Sequence, residues 1–157
     1  MAYVLDTAAL LHGGIDLTSG KFVTTPSVIG EVRKGRLADR ISDLKDFIDI
    51  REPTAGSIDR VREASKMSGN LQDLSGTDID VVALALDVGG TVVTDDYSVQ
   101  NVALSLSLKF MPCKEKGISG HITWVRRCSG CGAYVDSPLC PVCGHPVRRY
   151  YPKKRKI

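Results

Sequence analysis

Gly89-Gly90-Thr91-Val92-Val93-Thr94-Asp95-Asp96-Tyr97 is a β-branched run that opens after two glycines and stops on two adjacent carboxylates. Val and Thr suit a pleated strand, and a helix-like stretch from Ser98 to Leu106 follows directly. The segment reads as a buried strand that carries acid to one end of a sheet. In open α/β sheets ligands bind outside the carboxyl ends of the strands, where Asp95 and Asp96 would sit. Two neighbouring anions repel and are costly to desolvate unless water, a basic group or a cation compensates. Taken alone, the pair is equally well a solvated turn that caps the next helix.

Other acids bear on that choice. Tyr3-Val4-Leu5-Asp6 repeats the theme of strand, then carboxylate, with Ala8-Ala9-Leu10-Leu11 as the helix that follows. Lys21-Phe22-Val23-Thr24 is an extended piece of a loop or ribbon, and Thr25-Pro26 has the cap and first-turn proline of a helix. On that helix Glu31 flanks the apolar stripe of Val28, Ile29 and Val32. Gly35 to Asp49 reads as a surface helix, Ile48 to Glu52 as a half-exposed strand, and Thr54 to Ser68 as an amphipathic helix. In Leu74 to Asp87, each residue turns about 100°, which puts Asp78 and Asp80 about 200° apart. Asp78 then lies on the small apolar side and is the candidate site acid, although it could also serve as a first-turn cap with Ser75 or Thr77. Asp80 is expected to be solvated. Leu108 to Met111 is a last short strand. Strands alternating with helices give an α/β domain in three layers around a mostly parallel sheet.

At 157 residues the chain holds one ordinary domain plus a small appendage, and 43% apolar content supplies a core. The organisation expected is a catalytic domain over 1–112, a linker over 113–121 containing a lone Cys113, a cysteine module over 122–151 and a basic tail over 152–157. With no signal-like start and no long apolar run, a soluble cytoplasmic protein with reduced cysteines and no membrane partner is expected. The net charge of +3 conceals a partition: residues 1–120 carry 13 basic and 17 acidic groups, and residues 121–157 carry 8 basic and 1 acidic. An acidic body with a basic end suggests a polyanionic partner.

Cys128-Ser-Gly-Cys131-Gly and Cys140-Pro-Val-Cys143-Gly are two Cys-x-x-Cys knuckles, each followed by glycine. Four thiolates are the ligand set of a closed, structural tetrahedral zinc site, and extended segments on either side (Ile122 to Val125, Pro146-Val147) make it a zinc ribbon. Disulfides or a redox pair are the alternatives that an intracellular setting and the duplication disfavour. Arg126, Arg127, Arg148, Arg149, Lys153, Lys154, Arg155 and Lys156 are interleaved with Trp124, Tyr134, Tyr150 and Tyr151. Such groups bind phosphates and stack on unpaired bases, so an RNA-binding surface including Tyr150 is expected. A merely solubilising tail is the plainer reading.

Asp6, Glu31, Asp78 and Asp95 or Asp96 come from separate elements that could meet at one end of the sheet. Such clusters hold Mg²⁺ or Mn²⁺, which can activate water and stabilise charge on a phosphodiester. Neither a phosphate-cradling G-x-x-x-x-G-K loop nor a dinucleotide G-x-G-x-x-G is present, so nucleotide hydrolysis and hydride transfer lack support. Val4-Leu5-Asp6-Thr7, the Glu31 helix, Leu74-Ser75-x-x-Asp78 and Thr94-x-Asp96 resemble the four acid motifs of PIN-domain nucleases. With the ribbon added, the chain is similar to archaeal Nob-family (Nin-one-binding) endoribonucleases. That resemblance implies a Mn²⁺- or Mg²⁺-dependent cut at the 3′ end of precursor small-subunit (16S) rRNA in a pre-30S particle, with a KH-domain assembly partner. It favours Asp96 as the fourth acid, with Asp95 adjacent. A toxin-type PIN ribonuclease and a non-catalytic zinc-ribbon RNA-binding scaffold are the rival readings.

Overall fold

The computed structural model describes residues 1–12, 15–33, 44, 46–68, 73–114 and 116–150. Most of the helix expected between Gly35 and Asp49, and the tail with Tyr151, Lys153, Lys154, Arg155 and Lys156, lie outside the described residues. The chain divides into two units, Met1–His121 and Ile122–Ile157. No helix among the described residues is long and apolar enough to cross a membrane.

In the first unit the elements run β1 (Ala2–Leu5), α1 (Thr7–His12), β2 (Lys21–Thr24), α2 (Pro26–Arg33), β3 (Ile48–Ile50), α3 (Ala55–Met67), α4 (Gly76–Val88), β4 (Thr91–Val93), α5 (Tyr97–Ser105) and β5 (Phe110–Met111). The strands form one sheet in the order β3-β2-β1-β4-β5, and every pairing is parallel. Val4, Leu5, Val92 and Val93 are all buried, as the central strands of a sheet covered on both faces must be. Lys21 to Thr24, expected only as an extended loop piece, is instead a full member of the sheet beside β1. Tyr3 and Phe22 stand opposite in that pairing with their rings stacked, centroids 5.5 Å apart.

α4 touches α2, α3, α5, β1 and β4, and this position explains its nearly unbroken run of small and branched apolar residues. Val81, Val82, Ala83, Leu84 and Ala85 are all buried within it. Residues 113–121, read from the sequence as a linker, fall within the first unit: the Ile118 N–H donates to Gln100 Oε1 at 2.9 Å, and the Tyr97 hydroxyl donates to the Lys116 carbonyl at 3.2 Å.

The chain runs outward from β1 to β2 and β3, then returns to β4 on the other side of β1. The strand order therefore reverses between β1 and β4, and a crevice at the carboxyl ends of these two strands is where an open α/β sheet receives its ligand. Asp6 directly follows β1, and Thr94-Asp95-Asp96 directly follow β4.

The second unit is an antiparallel ribbon of β6 (Val125–Cys128) and β7 (Val147–Tyr150). Its first strand begins three residues later than the sequence suggests and runs on to Cys128, which pairs with Val147.

Candidate functional site

Asp6 is 7% exposed at the switch point, with the Ala9 N–H donating to its Oδ1 at 2.6 Å. The Thr94 hydroxyl, fully buried, donates to the same carboxylate while its oxygen accepts the Asp96 N–H at 3.0 Å. One threonine thus ties the first acid to the fourth. Glu31 is exposed on α2 and accepts the Thr7 hydroxyl at 2.6 Å. Asp78 is half-buried in a capping box: its Oδ2 accepts the Ser75 N–H and hydroxyl, each at 2.8 Å, and its own N–H donates to Ser75 Oγ at 3.1 Å. Capping and site membership were alternatives in the sequence, but the cap uses one oxygen edge and leaves the charge within reach of the other acids.

The electrostatics connect them. Burial pushes the Asp6 carboxyl above its usual range, the Thr94 and Ala9 hydrogen bonds oppose this, and repulsion from Asp78 and Asp95 adds to it. Burial likewise raises Asp78, against its Ser75 bonds, with repulsion from Asp96 and Glu31 adding. The ion pairs found among the described residues, Arg51 with Asp49 and Arg62 with Asp59, lie on other acids. The candidate donor set is all carboxylate, and a hard divalent cation would relieve the repulsion. The spacing is looser than a single closed ligand shell, and among the described residues only the four cysteines bring their ligand atoms all within 4.8 Å of one another. Loose spacing fits cations that keep several of their waters.

The neighbouring acids separate clearly. Asp96 is exposed and caps α5, its Oδ1 accepting from Ser98 N at 2.6 Å and Val99 N at 3.3 Å. Its Oδ2 has no donor among the described residues. Asp95 is turned the other way, accepting from the N–H groups of Cys113 (2.7 Å) and Lys114 (3.1 and 3.2 Å), which fastens the end of β4 to the residues after β5. Asp80 corrects the sequence reading: it is half-buried and accepts the Ser27 hydroxyl at 2.7 Å, docking α4 on α2. Asp87 is a further anchor, binding Thr54 and Ser57 at the start of α3. Cys113 packs against the core and has its thiol pushed up to about 11, first by burial and then by Asp6 and Asp95, which disfavours the thiolate that a nucleophile needs. The threonines were missed as site residues. Their signal was present in Asp6-Thr7 and Thr94-x-Asp96, where a hydroxyl lies within two residues of an acid.

In the ribbon Cys128 and Cys143 sulfurs are 3.3 Å apart and those of Cys131 and Cys140 3.6 Å. Tetrahedral ligands at about 2.3 Å from zinc stand about 3.8 Å apart, so the four thiols fit a zinc ion with little adjustment. The knuckles repeat one hydrogen-bond pattern. Cys128 N–H donates to Ala133 O and Cys140 N–H to His145 O, while Gly132 N–H donates to Cys128 O and Gly144 N–H to Cys140 O. Gly132 (φ +76°) and Gly144 (φ +73°) take the left-handed conformation that this turn requires. The His145 N–H, followed by the Cys128 sulfur, pulls the Cys143 thiol down to about 5.

Strand pairing places Arg126 opposite Arg149 and Arg127 opposite Arg148. Like charges opposite one another are unfavourable in a ribbon, and three of the four are steadied locally. Arg126 donates to Asp136 O, Arg127 donates to Gly132 O and lies 5.5 Å over the Tyr150 ring, and Arg149 lies 4.1 Å over Trp124. A groove of about 410 Å³ lies between Arg127, Arg148 and Tyr150. The arrangement concentrates positive charge beside aromatic faces.

The family model described as the PIN domain of ribonuclease matches residues 3–88. The chain is 41% identical to Ribonuclease VapC1 of Thermoplasma acidophilum, the match covering 100% of this chain and 82% of that protein, ribbon segment included. It is 38% identical to Endoribonuclease Nob1 of Archaeoglobus fulgidus, over 90% of this chain and 86% of that one. Among solved structures, VapBC2 of Rickettsia felis bound to a DNA fragment superposes with a TM-score of 0.55 at 16% identity, covering 71% of this chain and 98% of that one, a likeness of fold.

Proposed function

This chain belongs to the PIN-domain ribonucleases, and from that premise we propose that it trims the 3′ end of precursor small-subunit rRNA in the cytoplasm, with its basic ribbon holding the RNA. It is an endoribonuclease. The observation that carries the reading is the set of mutually repelling carboxylates at the β1/β4 switch point, joined in one chain to a basic four-cysteine module.

Asp6, Glu31, Asp78 and Asp96 would hold Mg²⁺ or Mn²⁺, and Cys128, Cys131, Cys140 and Cys143 would hold zinc. The hard cation, when bound, supplies an activated water and neutralises charge at the phosphate. The chain's own groups prepare for this. Thr94 and Ala9 fix the Asp6 carboxylate, Thr7 fixes Glu31, Ser75 fixes Asp78, and the α5 cap leaves one oxygen of Asp96 facing away from the helix. Asp95 acts as a positioning residue through its hold on Cys113 and Lys114. Asp6 and Asp78 must shed their protons to serve as ligands, so cation binding is favoured as pH rises through their elevated range.

The rRNA reading rests on the resemblance to Nob-family enzymes, which also implies a pre-30S substrate particle and a KH-domain partner. The similarity to a protein named VapC1 supports a second reading, a toxin-type ribonuclease. Incubating the full chain with Mn²⁺ and either a precursor spanning the small-subunit 3′ end or unrelated structured RNA discriminates between them. A single cut confined to the precursor is expected. Equal cutting of tRNA or mRNA at comparable rates would favour the toxin-type reading.

A further inference from the structure

Beside the acids lies a cavity of about 300 Å³ that the acid chemistry does not use. Its apolar lining includes the stacked Tyr3 and Phe22 pair, with Ile15 and Val93; its polar lining includes His12, Asp16 and Lys114. The cavity and the acid site share backbone. Ala9, in the wall, donates its N–H to Asp6, and the Val93 carbonyl accepts the Asp6 N–H at 3.3 Å. Cys113 and Lys114, also in the wall, hold Asp95 with their N–H groups. Anything seated there therefore lies next to the position at which a phosphodiester would meet Asp6.

The lining selects the kind of occupant. A cavity of this size with mainly apolar walls and a few polar groups is of the kind that takes a flat organic group. The loop at its mouth is already set: Thr18 donates from both its N–H (3.0 Å) and its hydroxyl (2.6 Å) to Asp16 Oδ1, and the Ser19 hydroxyl donates to the Asp16 carbonyl. Asp16 and the nearby Asp6 and Asp95 disfavour a phosphate inside. A heterocycle with exocyclic amino groups suits them, since it offers donors to Asp16 while Lys114 can meet the backbone phosphate attached to it. We propose that this cavity receives the unpaired nucleobase of a nucleotide adjoining the scissile phosphate, so that Tyr3, Ile15 and Asp16 set a base preference at the cut.

The proposal rests on the nuclease reading above, and a binding experiment keeps the two separable. The full chain carrying Asp78→Asn, to prevent cleavage, is titrated with single-stranded RNAs spanning the cleavage site and containing one abasic nucleotide at each position in turn. Loss of the base at one position next to the scissile phosphate should weaken binding about tenfold, the scale of a single base contact. Adding Ser19→Phe, a bulky side chain at an exposed lining position, should reduce that penalty to under twofold; His12→Trp, at another exposed lining position, decides the matter if the first variant does not fold. A wild-type pocket with no base-dependent position, or a penalty undiminished in the filled variants, overturns the proposal. Failure of the unsubstituted chain to cut RNA with any divalent cation would instead overturn the nuclease reading, with the abasic series still deciding the pocket.

Discussion

Asp78 answers to two demands, since it closes the first turn of α4 and repels Asp96 and Glu31. Asp78→Asn keeps an acceptor for Ser75, so it should fold normally with cleavage lost; Asp78→Ala loses the cap as well and should be less stable by about 1 kcal/mol in denaturant titration. Asp6 and Asp78 both have folded pKa values raised above the unfolded one. Their contribution to stability is therefore complete below the ordinary carboxylate range and lost as pH rises through the raised values. Asp16 and Asp87 are shifted downward and act in the opposite sense, which makes a difference measurement the right one. Without added Mg²⁺ or Mn²⁺, the melting temperature of Asp6→Asn minus that of the unsubstituted chain should grow from pH 3 toward pH 6. A constant difference would mean that burial does not hold the Asp6 carboxyl above its usual range. At this scale the sequence revealed the acids by their position after strands, and the Thr-x-Asp spacing favoured Asp96 over Asp95. It could not reveal that Asp95 is held by residues 18 and 19 positions away, nor that Asp80 meets Ser27 from another helix, because a helical wheel describes only its own element.

Among the elements, β1, β4 and α4 were legible because their patterns are strong: β-branched runs between breakers, and a capped helix of small apolar residues. β2 was not, since four residues beside a turn-rich loop, the last three buried in a row, carry no period, and pairing with β1 and β3 makes them a strand. The knuckles were the clearest feature because metal chemistry fixes both residue type and spacing. Their glycines at φ +76° and +73° belong to the same requirement. Removing zinc with a chelator should therefore unfold the ribbon, read from the loss of dispersed amide signals of residues 125–150, while those of the sheet in the first unit persist. Retention of the ribbon signals in zinc-free protein would contradict a structural metal there.

For the molecule as a whole, charge is divided between the units, and four arginines pair across the ribbon of the basic one. If Arg127 and Arg148 each contact a phosphate, replacing both by alanine should lower the salt dependence of RNA binding by about 1.4 in log–log slope. An unchanged slope would assign the RNA grip to other groups. The order of acids along the chain, together with the ribbon, carried the family resemblance; no single motif did. In the proposed mechanism the switch-point carboxylates hold the cation that cuts RNA. It is tested most directly by measuring cleavage of a precursor rRNA fragment against Mn²⁺ concentration for the unsubstituted chain, Asp6→Asn and Asp96→Asn. Saturable Mn²⁺-dependent cleavage is expected for the unsubstituted chain, with a loss of at least about 100-fold, the upper end of what disturbing a ligand's supporting partners costs, in each variant. Variants that cut as fast as the unsubstituted chain at every Mn²⁺ concentration would contradict it.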